Sequence, residues 1–367
     1  VNSILGAGCS TAAGLGVAPF IAGLYAGSDF LAEVDTSNWK VKPAFEPRAF
    51  RWRDREDSSV RALLVRHLGL ALDEALWGHA LEGTYGVILA STKGFTEDFV
   101  WSEAAATSDP LTPILDDVIA ARHLKPSMRI CVSNACASSL AAVSLAQTWL
   151  TKLDHVIVLA CDAVDSFVLH GFAQLRVLTT DRPHPFSGDR SGFYLGDAAA
   201  CVILSRKIAT DIRLIDSTFD SEGYAVTRPS LSGDSLLRAC LKLRNSEADV
   251  NVKDADLVIA HGTATRANDE TEDNVFKTLF ENRRPLITGT KWMLGHTLGT
   301  SGLLDLIVAR ESLRAQTAPS IMTTSAIDPT FKGNYVIGPA REIKAKTALV
   351  TSLGFGGVHA AAWIGRS

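Results

Sequence analysis

The chain has 367 residues, 47% hydrophobic and 21% charged, with 36 Lys and Arg against 40 Asp and Glu for a net charge of −4. Those figures exclude an intrinsically disordered chain, which is poorer in apolar residues and richer in net charge. They also argue against nucleic acid as a partner, because binding by phosphate neutralisation calls for a basic excess. Length sets a prior of two or three domains with ample chain for a large core.

In chain order, residues 1–28 come first and carry no charge. No basic segment opens them, and Gly6, Gly8, Gly14, Gly16 and Pro19 interrupt any apolar run, so neither a signal peptide nor a membrane segment is expected. No later stretch approaches the ~18 apolar residues that a membrane helix needs. A basic group, Arg48, Arg51, Arg53, Arg55 and Arg61, leads into Ser58–Leu76. That segment reads as a helix with Val60, Leu63, Leu64, Leu68 and Leu72 on one side. The arginines read either as a docking patch for an acidic partner or as a solvated helix start paired with Asp54, Glu56 and Asp57.

Short runs rich in Val and Ile follow at 85–90, 129–132, 156–160, 199–204, 257–260, 285–287 and 348–351. Runs of this length read as strands buried on both faces, and their alternation with helical segments predicts an α/β layered architecture. A coarse symmetry is visible. A strand runs into the small-residue turn Ser133-Asn134-Ala135-Cys136 and a helix to Leu150. Later Gly295-His296 and Gly299-Thr300-Ser301-Gly302 lead into Leu303–Ile307. The expected organisation is two similar halves, 1–205 and 206–367, packed as one body.

The cysteines are Cys9, Cys131, Cys136, Cys161, Cys201 and Cys240, with no CxxC pair and no zinc-ligand spacing. They are expected to be reduced, mostly buried thiols of a cytoplasmic protein, with no metal and no cofactor. Cys136 stands out because it lies between a strand and a helix. There the helix dipole, at about 1–2 kcal/mol, is expected to lower a thiol pKa by roughly one unit and yield thiolate without a dedicated base. The alternative is a small hydrophobe packed under the helix. His261, in Ala260-His261-Gly262-Thr263, and His296, in Leu294-Gly295-His296, both read as strand-end residues beside glycine, with Lys291 five residues before the second. Each alone is most often structural. Together with Cys136 they suit thioester chemistry, with a nucleophile for an acyl group and N–H donors for a developing oxyanion or enolate. The turn Gly354-Phe355-Gly356-Gly357 adds backbone N–H groups to an oxyanion site; its bland reading is a tight turn.

Taken together these residues resemble the β-ketoacyl–acyl carrier protein synthases of the elongating type, members of the thiolase-fold condensing enzymes. The likeness runs through Ile4–Gly14, Asn134–Ser139, Pro185–Asp197, His261–Glu272, Lys291–Gly302 and Gly354–Gly357. The resemblance implies thiolase-like duplicated α/β halves in an α-β-α-β-α sandwich. It implies an acyltransferase in which Cys136 holds an acyl chain and condenses it with malonyl from an acyl carrier protein. His261 and His296 would stabilise the enolate, and Lys291 would support the site electrostatically. Glu272 would anchor that lysine, with Asp269 beside it in the same motif. The amides of Cys136 and Phe355 would form the oxyanion hole, and the Phe355 ring would gate the pocket. Arg51, Arg53 and Arg55 are the expected carrier-docking residues, and a homodimer or a heterodimer with a similar subunit is expected. Ser187, Ser191, Arg266 and His359 depart from the family's usual residues. They suggest a divergent fatty-acid or specialised polyketide pathway, or a chain-length-factor-like partner subunit, although such partners usually lack the cysteine. A degradative thiolase is disfavoured because residues 354–357 contain no second cysteine.

Overall fold

The computed structural model describes residues 2–37, 39–54, 59–100, 109–244 and 251–367. Ten strands carry the fold. The first five are β1 (Asn2–Thr11), β2 (Tyr85–Ala90), β3 (Met128–Val132), β4 (His155–Asp162) and β5 (Ala198–Ser205). The second five are β6 (Ile212–Ser221), β7 (Leu257–Ile259), β8 (Leu286–Thr288), β9 (Thr347–Gly354) and β10 (Val358–Arg366). The helices are α1 (Val17–Ala26), α2 (Val60–Leu76), α3 (Thr112–Ala121), α4 (Ser138–Trp149), α5 (Ser166–Gln174), α6 (Asp234–Lys242), α7 (Arg266–Phe280), α8 (Lys291–Leu294) and α9 (Ser301–Ala315).

From β1 outward the strands are ordered β1-β5-β4-β2-β3, and from β6 outward β6-β10-β9-β7-β8. The second order is the first with five added to every label. Directions repeat as well: β2 is parallel to β3 and β4, and β7 is parallel to β8 and β9. In each set the remaining pairs are antiparallel. Among the described residues the strands of the two sets pair only at the start of β1, where Asn2 faces Leu214 and Ser3 faces Arg213. From this repetition we infer two like halves, 1–205 and 206–367, divided in the connection between β5 and β6.

Helices α4 and α9 pack on each other and on strands of both sets, so they form the middle layer. Helix α2, with α3 against it, covers β1, β5 and β4 from outside, while α6, backed by α7, covers β6 and β10. The result is an α-β-α-β-α sandwich. Every residue of β4, β5 and β9 is buried, as Val- and Ile-rich strands covered on both faces require. Strand β3 departs from that expectation. It pairs with β2 alone, and Met128 and Ile130 are 39% and 43% exposed, because an edge strand lacks a neighbour to cover it. Helix α2 starts where its pattern predicts, with the Ser59 hydroxyl accepting from the Ala62 N–H and the expected leucines buried. No helix among the described residues is long and apolar enough to cross a membrane.

Candidate active site

Four turns converge on one pocket of about 430 Å³. The first follows β3. Ala135 sits at φ 48°, a left-handed conformation that is unfavourable for a residue with a Cβ. Its carbonyl is held by the Ser138 hydroxyl at 2.6 Å and the Thr92 hydroxyl at 3.2 Å. The bend delivers Cys136 into the pocket with 3% exposure. Ala137 caps α4, so Cys136 lies just outside the helix.

The second turn follows β8, but not directly. The one-turn helix α8 intervenes, with Lys291 as its first residue, and Gly295 then leads to His296. His296 is therefore not a strand-end residue as its sequence suggested. Its Nε2 lies 3.0 Å from Cys136 Sγ and its Nδ1 3.1 Å from Ser301 Oγ. The third turn does follow its strand: His261 comes two residues after β7, with its ring centroid 5.2 Å from that of His296.

The fourth turn joins β9 to β10. The backbone N–H groups of Phe355 and of Cys136 itself both reach the Cys136 sulfur. This approach depends on bare backbone, since a Cβ on Gly354 would stand 2.9 Å from Asn134 O and 3.2 Å from Ala137 N. Gly356 and Gly357 supply the positive φ of the turn. The Phe355 ring lines the pocket 5.7 Å from Phe172, and Phe193 meets the His296 ring edge-on at 5.0 Å. Three aromatic rings thus line the pocket beside His296.

The electrostatics overturn one expectation. Burial pushes the Cys136 thiol up to about 12, against the opposing charge of Lys291 and the Phe355 amide. Burial is the largest influence on it, so the resting thiol is neutral and a nucleophilic role would need a proton acceptor. Burial, then the charge of Lys291, holds both His261 and His296 well below the usual imidazole range. Both are therefore neutral near pH 7. His296 can accept the thiol proton at Nε2, and either ring can present an N–H once it carries the proton there.

A second correction concerns Lys291. Its ammonium, 1% exposed, pairs with Asp305 Oδ2 at 3.2 Å, and Thr290 Oγ1 donates to Asp305 Oδ1 at 2.6 Å. Glu272 serves the His261 turn instead. It accepts the N–H groups of His261 and Gly262 at 2.8 and 2.7 Å, the Thr351 hydroxyl at 2.9 Å and Asn268 Nδ2 at 3.0 Å. Asp269, also fully buried, accepts the Phe186 N–H at 2.7 Å. The reason is placement: Asp305 on α9 reaches the start of α8, while Glu272 on α7 reaches the turn after β7.

Of the expected docking arginines, Arg51 and Arg53 lie among the described residues, and they face differently. Arg51 turns inward, 16% exposed, with Nε 3.9 Å from Asp197 Oδ2. Arg53 stays exposed, 5.9 Å above the Phe30 ring. Arg61 is occupied by Asp117 through two 2.8 Å bonds, and Arg55 lies outside the described residues. The pocket mouth carries its own basic rim: Arg176, Arg228 and Arg266 line it and are exposed, and no carboxylate lines it with them. Among the described residues none of the three is in an ion pair.

The four departures have local explanations. Ser187 donates to Asp189, and the Ser191 hydroxyl is 2.7 Å from that of Thr179. Arg266 is the first residue of α7, a position that suits Pro but does not require it. His359 is buried on β10 with Nε2 3.5 Å from Glu222 Oε1. Sequence reasoning missed Asp305, Ser301, Phe172, Arg176 and Arg228. Only Asp305 left a signal, as a lone acid within Leu303-Leu304-Asp305-Leu306-Ile307.

Comparisons with known proteins place the chain in a family and a fold. Residues 3–209 match the family described as Beta-ketoacyl synthase, N-terminal domain, and residues 213–325 match Beta-ketoacyl synthase, C-terminal domain. The chain is similar to 3-oxoacyl-[acyl-carrier-protein] synthase 2 of Coxiella burnetii, 31% identical over 52% of this chain and 49% of that one. It thus spans about half the length of that relative. A β-ketoacyl synthase from Burkholderia phymatum has the same fold, with TM-score 0.86 and 23% identity, covering 100% of this chain and 99% of that one. So has the ishigamide ketosynthase/chain length factor, with TM-score 0.84, 22% identity and the same coverage.

Proposed function

The chain belongs to the Beta-ketoacyl synthase family, and on that premise we propose that it is an elongating β-ketoacyl–acyl carrier protein synthase. Cys136 attacks the carbonyl of an acyl thioester on the carrier, and His296 Nε2 takes the thiol proton. The new sulfur–carbon bond forms as the carrier's thiol leaves with a proton returned to it. Malonyl-carrier then enters. The two imidazoles hydrogen-bond its thioester carbonyl, loss of CO2 places the electron pair on the α-carbon, and that carbon attacks the acyl-Cys136 thioester. The amides of Cys136 and Phe355 hold the oxyanion. Collapse breaks the carbon–sulfur bond, leaving the chain, longer by two carbons, on its carrier and a Cys136 thiolate that takes up a proton from solvent. No cofactor takes part in these steps.

One observation carries this reading: the 3.0 Å approach of Cys136 Sγ to His296 Nε2, with His261 beside it in the same pocket. The basic rim of Arg176, Arg228 and Arg266 supports an acidic carrier protein as the partner. The open edge of β3, with Met128 and Ile130 exposed, supports dimerisation with a second copy or a similar subunit. Six free thiols fit a cytoplasmic setting. The test is intact-mass analysis after incubation with an acyl-carrier thioester, followed by malonyl-carrier with CO2 collected. An acyl adduct that Cys136→Ala lacks, and CO2 released after it forms, are the expected results. No adduct, with or without a copurifying subunit, would instead favour the chain-length-factor-like reading.

A further inference from the structure

One buried carboxylate lies between the nucleophile turn and the His296 turn and takes no part in the chemistry above. Asp162 ends β4 and is wholly buried. Its Oδ1 accepts from the Ser91 hydroxyl at 3.0 Å and from the Thr92 N–H at 3.0 Å. Its Oδ2 lies 3.4 Å from Thr300 Oγ1, and the Gly299 N–H donates to the same carboxylate. Ser91 and Thr92 follow β2 in the first half, and Gly299 and Thr300 precede α9 in the second. The two segments touch through backbone: a Cβ on Gly299 would stand 2.9 Å from Thr92 N and 3.1 Å from Asp162 Oδ2.

From this point bonds run to both reacting groups. On one side Thr92 Oγ1 donates to Ala135 O at 3.2 Å, and Ser133 Oγ donates to Thr92 O at 3.1 Å. Ala135 is the left-handed residue that aims Cys136. On the other side Thr300 precedes Ser301, whose hydroxyl is 3.1 Å from His296 Nδ1. The 3.0 Å contact of His296 with Cys136 closes the ring. A carboxylate suits its place there, because two oxygens accept from four donors and a charged acceptor bonds more strongly than a neutral one. Burial raises this carboxyl to about 7, and Lys93, paired with Asp165, opposes that rise and favours the ionised form. An amide at this position would set its own NH2 against one of those donors.

We propose that Asp162 is a positioning residue that sets the Cys136–His296 contact by tying the Thr92–Ala135 segment of one half to the Gly299–Ser301 segment of the other. The proposal concerns the same site as the proposed condensation. Its test reads the thiol directly, so either idea can fail without the other.

The test is the rate of Cys136 alkylation by iodoacetamide from pH 6 to 10, measured by peptide mass in the full-length protein. Asp162→Asn and Thr300→Val are expected to slow alkylation about tenfold, since small misplacements of reacting groups cost on this scale. The alkaline rise of the pH profile should also begin at higher pH as the thiol loses its acceptor. Asp273→Asn is the control. Asp273 is likewise buried and accepts from the Lys332 and Gly333 N–H groups and the Tyr335 hydroxyl, away from the pocket. It should lose stability yet alkylate within twofold of the parent. Parental rates and a parental pH profile in Asp162→Asn and Thr300→Val would overturn the proposal. Equal slowing in Asp273→Asn would overturn it too, by pointing to general loosening. If Asp162→Asn fails to fold, Thr300→Val against Asp273→Asn decides.

Discussion

The turn from β3 to α4 and the turn from β8 to α9 occupy equivalent places in the two strand sets, yet they do different work. The first is short. Five residues separate strand from helix, the strand is an exposed edge, and Cys136 emerges beside Ser133, itself exposed. The second is lengthened by α8 and a further 3-10 turn over Leu298–Thr300, and Lys291, His296 and Thr300 within it are all at or below 2% exposure. The short turn presents a group to substrate. The long one wraps a lysine and a histidine in protein, and burial holds the histidine neutral. In the proposed mechanism one strand–turn–helix design thus supplies the nucleophile in one half and its proton acceptor in the other.

The largest expected effect is loss of that nucleophile. Cys136→Ala should lower condensation by about a thousandfold or more, assayed as product from acyl- and malonyl-carriers. His296→Asn removes the acceptor supplied by the longer turn. Its acylation rate should fall about 10²–10⁴-fold, whereas His261→Asn should mainly slow the decarboxylation step. Equal effects on both steps would break the distinction between the two histidines.

Lys291→Met strands Asp305 in the interior, where burial already pushes its carboxyl up. Unfolding by denaturant should register about 3–5 kcal/mol of lost stability, with much of it restored in Lys291→Met/Asp305→Leu. Unchanged stability would mean the pair does not hold the long turn.

Acid should act on the same turn. His261 and His296 stay neutral in the fold, whereas in the unfolded chain each titrates near 6.5. As pH falls below 6.5 the unfolded state takes up protons that the folded state refuses. Their stabilisation, complete above 6.5, is therefore lost by up to about 1.4 kcal/mol per pH unit per histidine. The buried carboxyls act oppositely. Burial raises Asp162 and Glu272 to about 7 and Asp269 to about 6, so their contribution declines as pH rises from about 4 toward 7. Comparing the parent with His261→Asn isolates the histidine part, and the stability gap between them should close from pH 7 to pH 5. The smallest effect belongs to the mouth: Arg176→Glu or Arg228→Glu should raise KM for carrier-bound substrate about twofold to fivefold, with kcat unchanged.

Much of this fold is legible in the sequence because the buried strands are unmixed apolar runs. The hydrophobic face of α2 and the glycines of the 354–357 turn stand out for equally local reasons. What escapes is set by partners distant in sequence. Trp292-Met293-Leu294 continues an apolar stretch, so α8 is invisible until Gly295 is seen to turn the chain. Asp305 rather than Glu272 meets Lys291 because Asp305 on α9 reaches the start of α8, a fact of packing. Arg51 reads as a surface cation until Asp197 draws it inward. The Cys136 thiol looks activated by its helix because a sequence displays the dipole but not the missing water.

That thiol is the centre of the account: a neutral nucleophile that depends on His296 rather than a standing thiolate. The direct measurement is the ultraviolet thiolate absorbance of the parent minus that of Cys136→Ser, titrated from pH 5 to 10. The account predicts no thiolate signal from Cys136 through neutral pH and only its onset at the alkaline end. A thiolate already formed at or below pH 7 would contradict it.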